Sequence, residues 1–169
     1  IDIVFVSEED RAFFKEIALS LGNKPMDTVK IYGQRKDAPI MIEVDNARID
    51  LFTRNVIGVQ FSDNMMRRAE QTHQFHDNLI IHPANIHDII IMKSATGRLK
   101  DEEDIAALLK SQELNWKILI EEAKNQVLLG NEKAILALGQ RLERLSTSGL
   151  FFIPKEVLDT LWNILKKQV

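Results

Sequence analysis

The sequence predicts a mixed α/β (α+β) fold: strands and helices interleave in the first half, and helices alone follow Pro83. Three observations carry this. Short apolar, β-branched runs bounded by turn residues occur early, at Ile1 to Val6, Ile40 to Val44 and Arg48 to Phe52. After Pro83 the apolar residues recur at spacings of three and four. The chain has 169 residues, 45% hydrophobic and 28% charged, an ordinary globular composition long enough for one domain with a good core, or a core plus a helical appendage.

Ile1 to Ser7 reads as a strand. Ser7 before Glu8-Glu9-Asp10 starts a helix, because its hydroxyl suits the N-cap and the acids face the positive end of the dipole. Phe13, Phe14, Ile17, Ala18 and Leu21 are expected on its buried face, and Gly22-Asn23 stops it. Val29 to Tyr32 reads as a short strand, and Gly33 to Pro39 as a polar turn. Ile40 to Val44 and Arg48 to Phe52 flank Asp45-Asn46 and predict a β-hairpin. Ser62 caps a short helix reaching Glu70. Gln71 to Phe75 and Leu79 to His82 flank Asp77-Asn78, a second hairpin. Helices are then expected over Asn85 to Ala95, Asp101 to Leu109, Asn115 to Leu129, Asn131 to Leu145 and Pro154 to Lys167. The boundary is placed near Ser111 to Asn115, dividing an α/β core (residues 1–110) from a C-terminal helical region (residues 111–169).

The bulk numbers exclude some classes of function. With no cysteine there is no disulfide, thiol catalysis or Cys-based metal site, which is compatible with a cytoplasmic protein. A net charge of -3 advertises no overall basic field for nucleic acid. No apolar stretch approaches the roughly 20 residues of a membrane helix. The chain opens inside a strand at Ile1, which predicts residues upstream of it.

Two strand carboxylates stand out. Asp2 lies in Ile1-Asp2-Ile3-Val4-Phe5-Val6, and Asp50 in Ala47-Arg48-Ile49-Asp50-Leu51-Phe52-Thr53. A carboxylate buried in a strand needs a cation, a metal or donors to compensate it, whereas on a solvent-facing position it needs nothing. Further along, Lys93 ends the apolar run Ile89-Ile90-Ile91-Met92, Arg98 lies in a loop, Asp101 is positioned to cap the next helix, and Asp104 follows one turn later. Read alone, this segment is a solvated helix-loop-helix with surface ion pairs.

The order strand-Asp, strand-Asp, then Lys-x4-Arg-x-Lys-Asp-x2-Asp resembles the nucleotidyltransferase superfamily with the DNA polymerase β fold, in the small prokaryotic branch that includes toxin–antitoxin nucleotidyltransferases. Ile1-Asp2-Ile3-Val4 resembles the second half of that family's D-x-D strand, and Arg48 to Phe52 its third-carboxylate strand. Met65 to Ala69 and Lys93 to Ile105 fall where the family has similar segments. The Gly-rich helix-start motif and the first Asp of D-x-D would precede Ile1.

The resemblance implies a mixed sheet with flanking helices of nucleotidyltransferase type, followed by a C-terminal helical bundle. It implies transfer of a nucleoside monophosphate from an NTP to a hydroxyl of RNA, protein or a small molecule, with Mg²⁺ or Mn²⁺. Asp2 would be a metal ligand shared by two ions, and Asp50 the ligand nearer the acceptor, helping to deprotonate it. Lys93 and Arg98 would neutralise the triphosphate, Asp101 would orient one of them or touch the nucleotide, and Asp104 would give structural support. The alternative is a catalytically inactive binding or regulatory protein on the same fold, antitoxin-like in role.

All four histidines, His73, His76, His82 and His87, lie close together in sequence and raise a zinc reading, for which Asp77 and Asp88 would have to supply carboxylates. Surface or interface histidines are the simpler account, and His73 and His76 are also placed to line a substrate cleft. The faces Trp116, Ile120, Ala123, Val127, Leu128; Leu136, Leu138, Leu142, Leu145; and Leu158, Leu161, Trp162, Leu165 predict a bundle closing over the core, or a homodimer contact. Arg141, Arg144, Lys155, Lys166 and Lys167 suggest a basic patch for RNA, but the interspersed Glu143, Glu156 and Asp159 favour a solvated mixed-charge face.

Overall fold

The computed structural model describes residues 1–75, 79–111 and 113–166, and its packing divides the chain into two units, Ile1–Phe61 and the part from Ser62 onward. The fold class is mixed α/β, as the sequence predicts. Among the described residues, no helix is long and apolar enough to cross a membrane.

In the first unit, β1 (Asp2–Phe5) leads into α1 (Glu8–Ser20), whose cap is Ser7: its hydroxyl accepts from the Asp10 amide at 3.1 Å. β2 (Lys24–Pro25) and α2 (Val29–Tyr32) follow. β3 (Ile40–Val44) and β4 (Ala47–Thr53) form the expected hairpin, and β5 (Asn55–Val56) and β6 (Val59–Gln60) add a second one. In the β3–β4 turn Asp45 and Asn46 adopt φ of 48° and 62°, the left-handed pair a two-residue turn requires. The sheet runs β2-β3-β4-β5-β6 by antiparallel neighbours, and β1 pairs in parallel with β4.

Strand alternation gives this sheet two chemically different faces. One carries Ile3, Phe5, Ile40, Ile42, Val44, Ile49 and Leu51, and packs with Phe14 and Ala18 of α1. Each such side chain, once buried, contributes roughly 1.5–3 kcal/mol. Asp2, Arg48 and Asp50, together with Met41, lie on the other face.

Two expectations for this unit fail. Val29–Tyr32 is a helical turn, because the Asp27 carboxylate accepts from the Val29 amide at 3.1 Å and the Thr28 carbonyl from the Tyr32 amide at 2.9 Å. These local bonds override the strand propensity of the β-branched residues. On α1, Phe13, Ile17 and Leu21 are exposed (66%, 44% and 75%), because the sheet is met by the Phe14–Ala18 stripe, about 100° round the helix.

In the second unit, α3 (Asp63–Arg68, capped by Ser62) precedes β7 (His73–Phe75) and β8 (Leu79–Ile81), an antiparallel pair. The expected Asp77-Asn78 turn lies outside the described residues. The helices are α4 (Ile86–Ser94), α5 (Leu99–Ser111), α6 (Trp116–Leu128), α7 (Glu132–Thr147) and α8 (Lys155–Lys166). Ile90, Ile91, Ile105, Leu119, Ile135, Leu138, Leu142 and Leu161 form the buried interior. Gly139 of α7 lets the Trp162 indole of α8 approach, since a Cβ there would lie 3.3 Å from the ring. Leu128 and Leu136, expected on buried faces, are exposed. The division falls between Phe61 and Ser62, whereas the sequence reading placed it near Ser111 to Asn115. In the second unit α4 packs on α5, α6 and α7, so the later helices belong with the segment that precedes them.

Candidate functional site

Asp2 and Asp50 are register partners across the parallel β1–β4 pair, so their side chains leave the same face of the sheet. Asp2 is exposed; Asp50 is 1% exposed. Arg48, two residues before Asp50 on β4, turns to the same side. Its Nε donates to Asp50 Oδ1 at 2.6 Å, and its Nη2 donates both to Asp50 Oδ2 and to Tyr32 Oη (2.7 Å). The Tyr32 hydroxyl in turn donates to Asp50 Oδ2 at 2.6 Å. The helical turn of α2 brings Tyr32 there, with the Arg48 guanidinium 5.4 Å from its ring centre.

The electrostatics follow from these contacts. Burial by itself would push the Asp50 carboxyl up, but hydrogen bonds from Arg48 and Tyr32 outweigh it and hold it below its ordinary value. Burial and the Asp50 carboxylate push the Tyr32 phenol up to about 12, and Asp2 adds to the effect. Hydrogen bonding to Asp50 holds Arg48 firmly charged. At neutral pH Asp50 is therefore a carboxylate, Arg48 a guanidinium and Tyr32 a neutral phenol.

Asp2 and Asp50 offer hard oxygen donors side by side, a donor set that fits Mg²⁺ in kind. Arg48 and Tyr32 engage both oxygens of Asp50, so the cation facing that carboxylate is a guanidinium. Among the described residues, no group of three or more His, Cys, Asp or Glu gathers as a metal cage.

Lys93, Arg98, Asp101 and Asp104 come together in the second unit. Lys93 Nζ, from the end of α4, donates to Asp101 Oδ1 at 3.2 Å and to Asp104 Oδ2 at 2.6 Å. Arg98 Nε donates to Asp101 Oδ2 at 2.7 Å, and Thr96 Oγ1 donates to the same oxygen. Asp101 lies inside the first turn of α5, which begins at Leu99, rather than at its cap. Burial works against both charges, but the bonds from Arg98, Thr96 and Lys93 hold Asp101 below its ordinary value, and those to Asp104 and Asp101 hold Lys93 above its own.

Two groups escaped the sequence reading. Arg141, expected on a solvated mixed-charge face, is buried: its Nη2 donates to the Thr96 carbonyl at 2.8 Å, and its Nε lies 3.8 Å from Glu102. Lys167, expected on the same face, lies outside the described residues. The second group is a buried polar network. Arg68 of α3 pairs with Asp88 of α4 at 2.6 Å and Glu122 of α6 at 2.5 Å. Ser62 Oγ and Gln126 Nε2 also donate to Glu122, at 2.8 Å and 2.9 Å. The sequence signal was available: Glu122 and Gln126 sit at the buried spacing of Leu119 and Ala123.

The histidines divide. His82 Nδ1 meets the Ala69 carbonyl at 3.1 Å. His87 Nε2 accepts from the Asn115 amide at 2.9 Å, and its Nδ1 meets Asn85 Oδ1 at 2.7 Å, which assigns the proton to Nδ1. Burial, aided by the Arg68 charge, pushes the His87 pKa down. His76 and Asp77 lie outside the described residues. No protein-family model matches the chain, and no curated protein matches it.

Proposed function

We propose that this chain is a Mg²⁺-dependent nucleotidyltransferase of the DNA polymerase β type, transferring a nucleoside monophosphate from an NTP to a hydroxyl acceptor on RNA, protein or a small molecule. The observation that carries this reading is the parallel register of Asp2 and Asp50, on the sheet face turned away from the α1 core. A divalent cation bound there would supply charge neutralisation of the triphosphate.

The residues' own properties divide the roles. Asp50, held ionised by Arg48 and Tyr32, serves as an anionic anchor and is a weak proton acceptor, because a depressed pKa lowers basicity. Asp50 is therefore not the group that takes the acceptor proton. Tyr32 stays protonated at neutral pH and acts as a donor that orients Asp50. Within the second unit, Lys93 and Arg98, both bound by Asp101, have the chemistry to hold phosphate oxygens.

One observation favours a second reading, a fold relative that binds without catalysing: both Asp50 oxygens already have protein donors. A thermal-shift titration with Mg²⁺ and each of the four ribonucleoside triphosphates, on the native chain and Asp50→Asn, tests both readings. A triphosphate that raises the melting temperature only with Mg²⁺, and only in the native chain, is the expected result. The same shift in the Asp50→Asn variant sinks the carboxylate site, and no shift with any triphosphate leaves the non-catalytic reading.

A further inference from the structure

The Arg48 guanidinium occupies the position a cation held by Asp50 would take. It engages both carboxylate oxygens and the Tyr32 hydroxyl at once. Asp2, in register and on the same face, adds a second negative charge that acts on Arg48 and on Tyr32. Two carboxylates share the Arg48 guanidinium, with the Ile1 ammonium also acting on Asp50, whereas a divalent cation would bind both carboxylates directly.

The geometry also allows Arg48 to leave. Its side chain is 35% exposed, and Nη1 has no hydrogen-bond partner among the described residues. The flexible stem can therefore swing toward solvent with no change in the β4 backbone. Tyr32 marks its path: the ring lies beside the guanidinium, and the phenol can keep its bond to Nη2 once the carboxylate contact is gone.

We propose that Arg48 is a resident counter-cation of the Asp2–Asp50 pair, displaced when a divalent cation binds, with Tyr32 retaining the displaced guanidinium beside the site. This rests on the reading of that pair as a divalent-metal site. In the absence of metal, Arg48 keeps the buried carboxylate compensated and the sheet intact; with metal, it becomes an uncommitted cation next to the bound ion.

The test is Mn²⁺ binding followed by electron paramagnetic resonance on the full chain, compared with Arg48→Gln and Asp50→Asn. Arg48→Gln should bind Mn²⁺ about tenfold more tightly than the native chain, or bind where the native chain does not, and Asp50→Asn should abolish binding. Equal or weaker binding by Arg48→Gln, when native binding depends on Asp50, overturns the displacement and leaves the metal site standing. No binding by either the native or the Arg48→Gln chain, or binding indifferent to Asp50→Asn, overturns the metal site and the displacement with it. Should Arg48→Gln fail to fold, the Arg48 Nε–H resonance of the native chain, assigned with Arg48→Lys, gives the answer. It should move from its carboxylate-bonded position as Mg²⁺ is added, and an unmoved resonance in a chain saturated through Asp50 overturns the proposal.

Discussion

Arg68 Nη2 donates to Glu122 Oε2 at 2.5 Å although 54 residues separate them. Asp88 shares the same guanidinium, and Ser62, Asn125 and Gln126 also donate to Glu122. Three helices, α3, α4 and α6, are thus joined by one buried polar network. Glu122→Ala would leave Arg68 paired with Asp88 alone and remove the acceptor that Ser62, Asn125 and Gln126 share. Losing a buried acceptor of this kind costs about 1–3 kcal/mol. Urea unfolding should show this as a lower midpoint with an unchanged slope.

Asp88 titrates against the fold. Burial pushes its carboxyl up, and the Arg68 contacts only partly offset this. An acid whose pKa is raised on folding contributes stability that is complete below its unfolded value, about 3.9, and is lost as pH rises through the native value. Asp88→Asn lacks that loss. Its stability relative to the native chain should therefore improve from acid to neutral pH, whatever its absolute value. Urea unfolding on both sides of the Asp88 titration checks the slope, and a parallel pair of pH profiles refutes it.

Asp101 has the opposite sign. Its depressed pKa contributes stability that is present above about 3.9 and lost as pH falls through the native value. The native chain should lose stability across that acid range more steeply than Asp101→Asn, which should already be weaker at neutral pH. Melting temperatures across the acid range decide it.

Tyr32 is the only tyrosine, so tyrosinate absorbance reads it alone. The native chain should titrate near 12, and Asp50→Asn should bring the midpoint down toward the ordinary value. Because the shift is upward, the stability it contributes is complete below about pH 10 and is lost as pH rises through the native value. A native midpoint at the ordinary value would mean that the phenol does not meet Asp50.

Gly139 stands against the Trp162 ring, a rigid neighbour. Alanine gains about 1 kcal/mol of helix propensity but must press the indole aside, so Gly139→Ala should be close to neutral. Gly139→Val adds two methyl groups to the same contact and should destabilise by about 1–3 kcal/mol. Chemical denaturation of the two variants separates propensity from packing.

The elements that could be read from sequence are those fixed by neighbours in the chain. Ser7 and Ser62 cap the helices they precede, and Asp45-Asn46 turns its hairpin, because each acts on residues one to three positions away. The β5–β6 hairpin escaped, although Gly58 follows Ile57 in the left-handed region and was its signal. The α2 turn escaped because two hydrogen bonds, accepted by Asp27 and Thr28, outweigh the strand preference of Val29, Ile31 and Tyr32. At the candidate site, the alternation of β4 made Asp50 conspicuous, and the spacing of Lys93, Asp101 and Asp104 anticipated their meeting. What covers Asp50 was not legible. Tyr32 reaches it only through a helical turn that local propensity argues against, and Arg48 reads equally well as a solvated strand residue. The Arg68 network depends on three helices packing together, which no short window of sequence records.

The two-residue turn at Asp45-Asn46 also governs which chemistry each side of the sheet receives. Leu51 and Asp50 are adjacent, so only the odd–even phase of β4 separates the oily layer from the carboxylate layer. One residue gained or lost between Asn46 and Asp50 would invert that parity, carrying Asp50 in among Ile42 and Ala18 and turning Leu51 out. Charge placement in this unit is thus a matter of counting residues from a bend, so β4 tolerates substitution more readily than insertion.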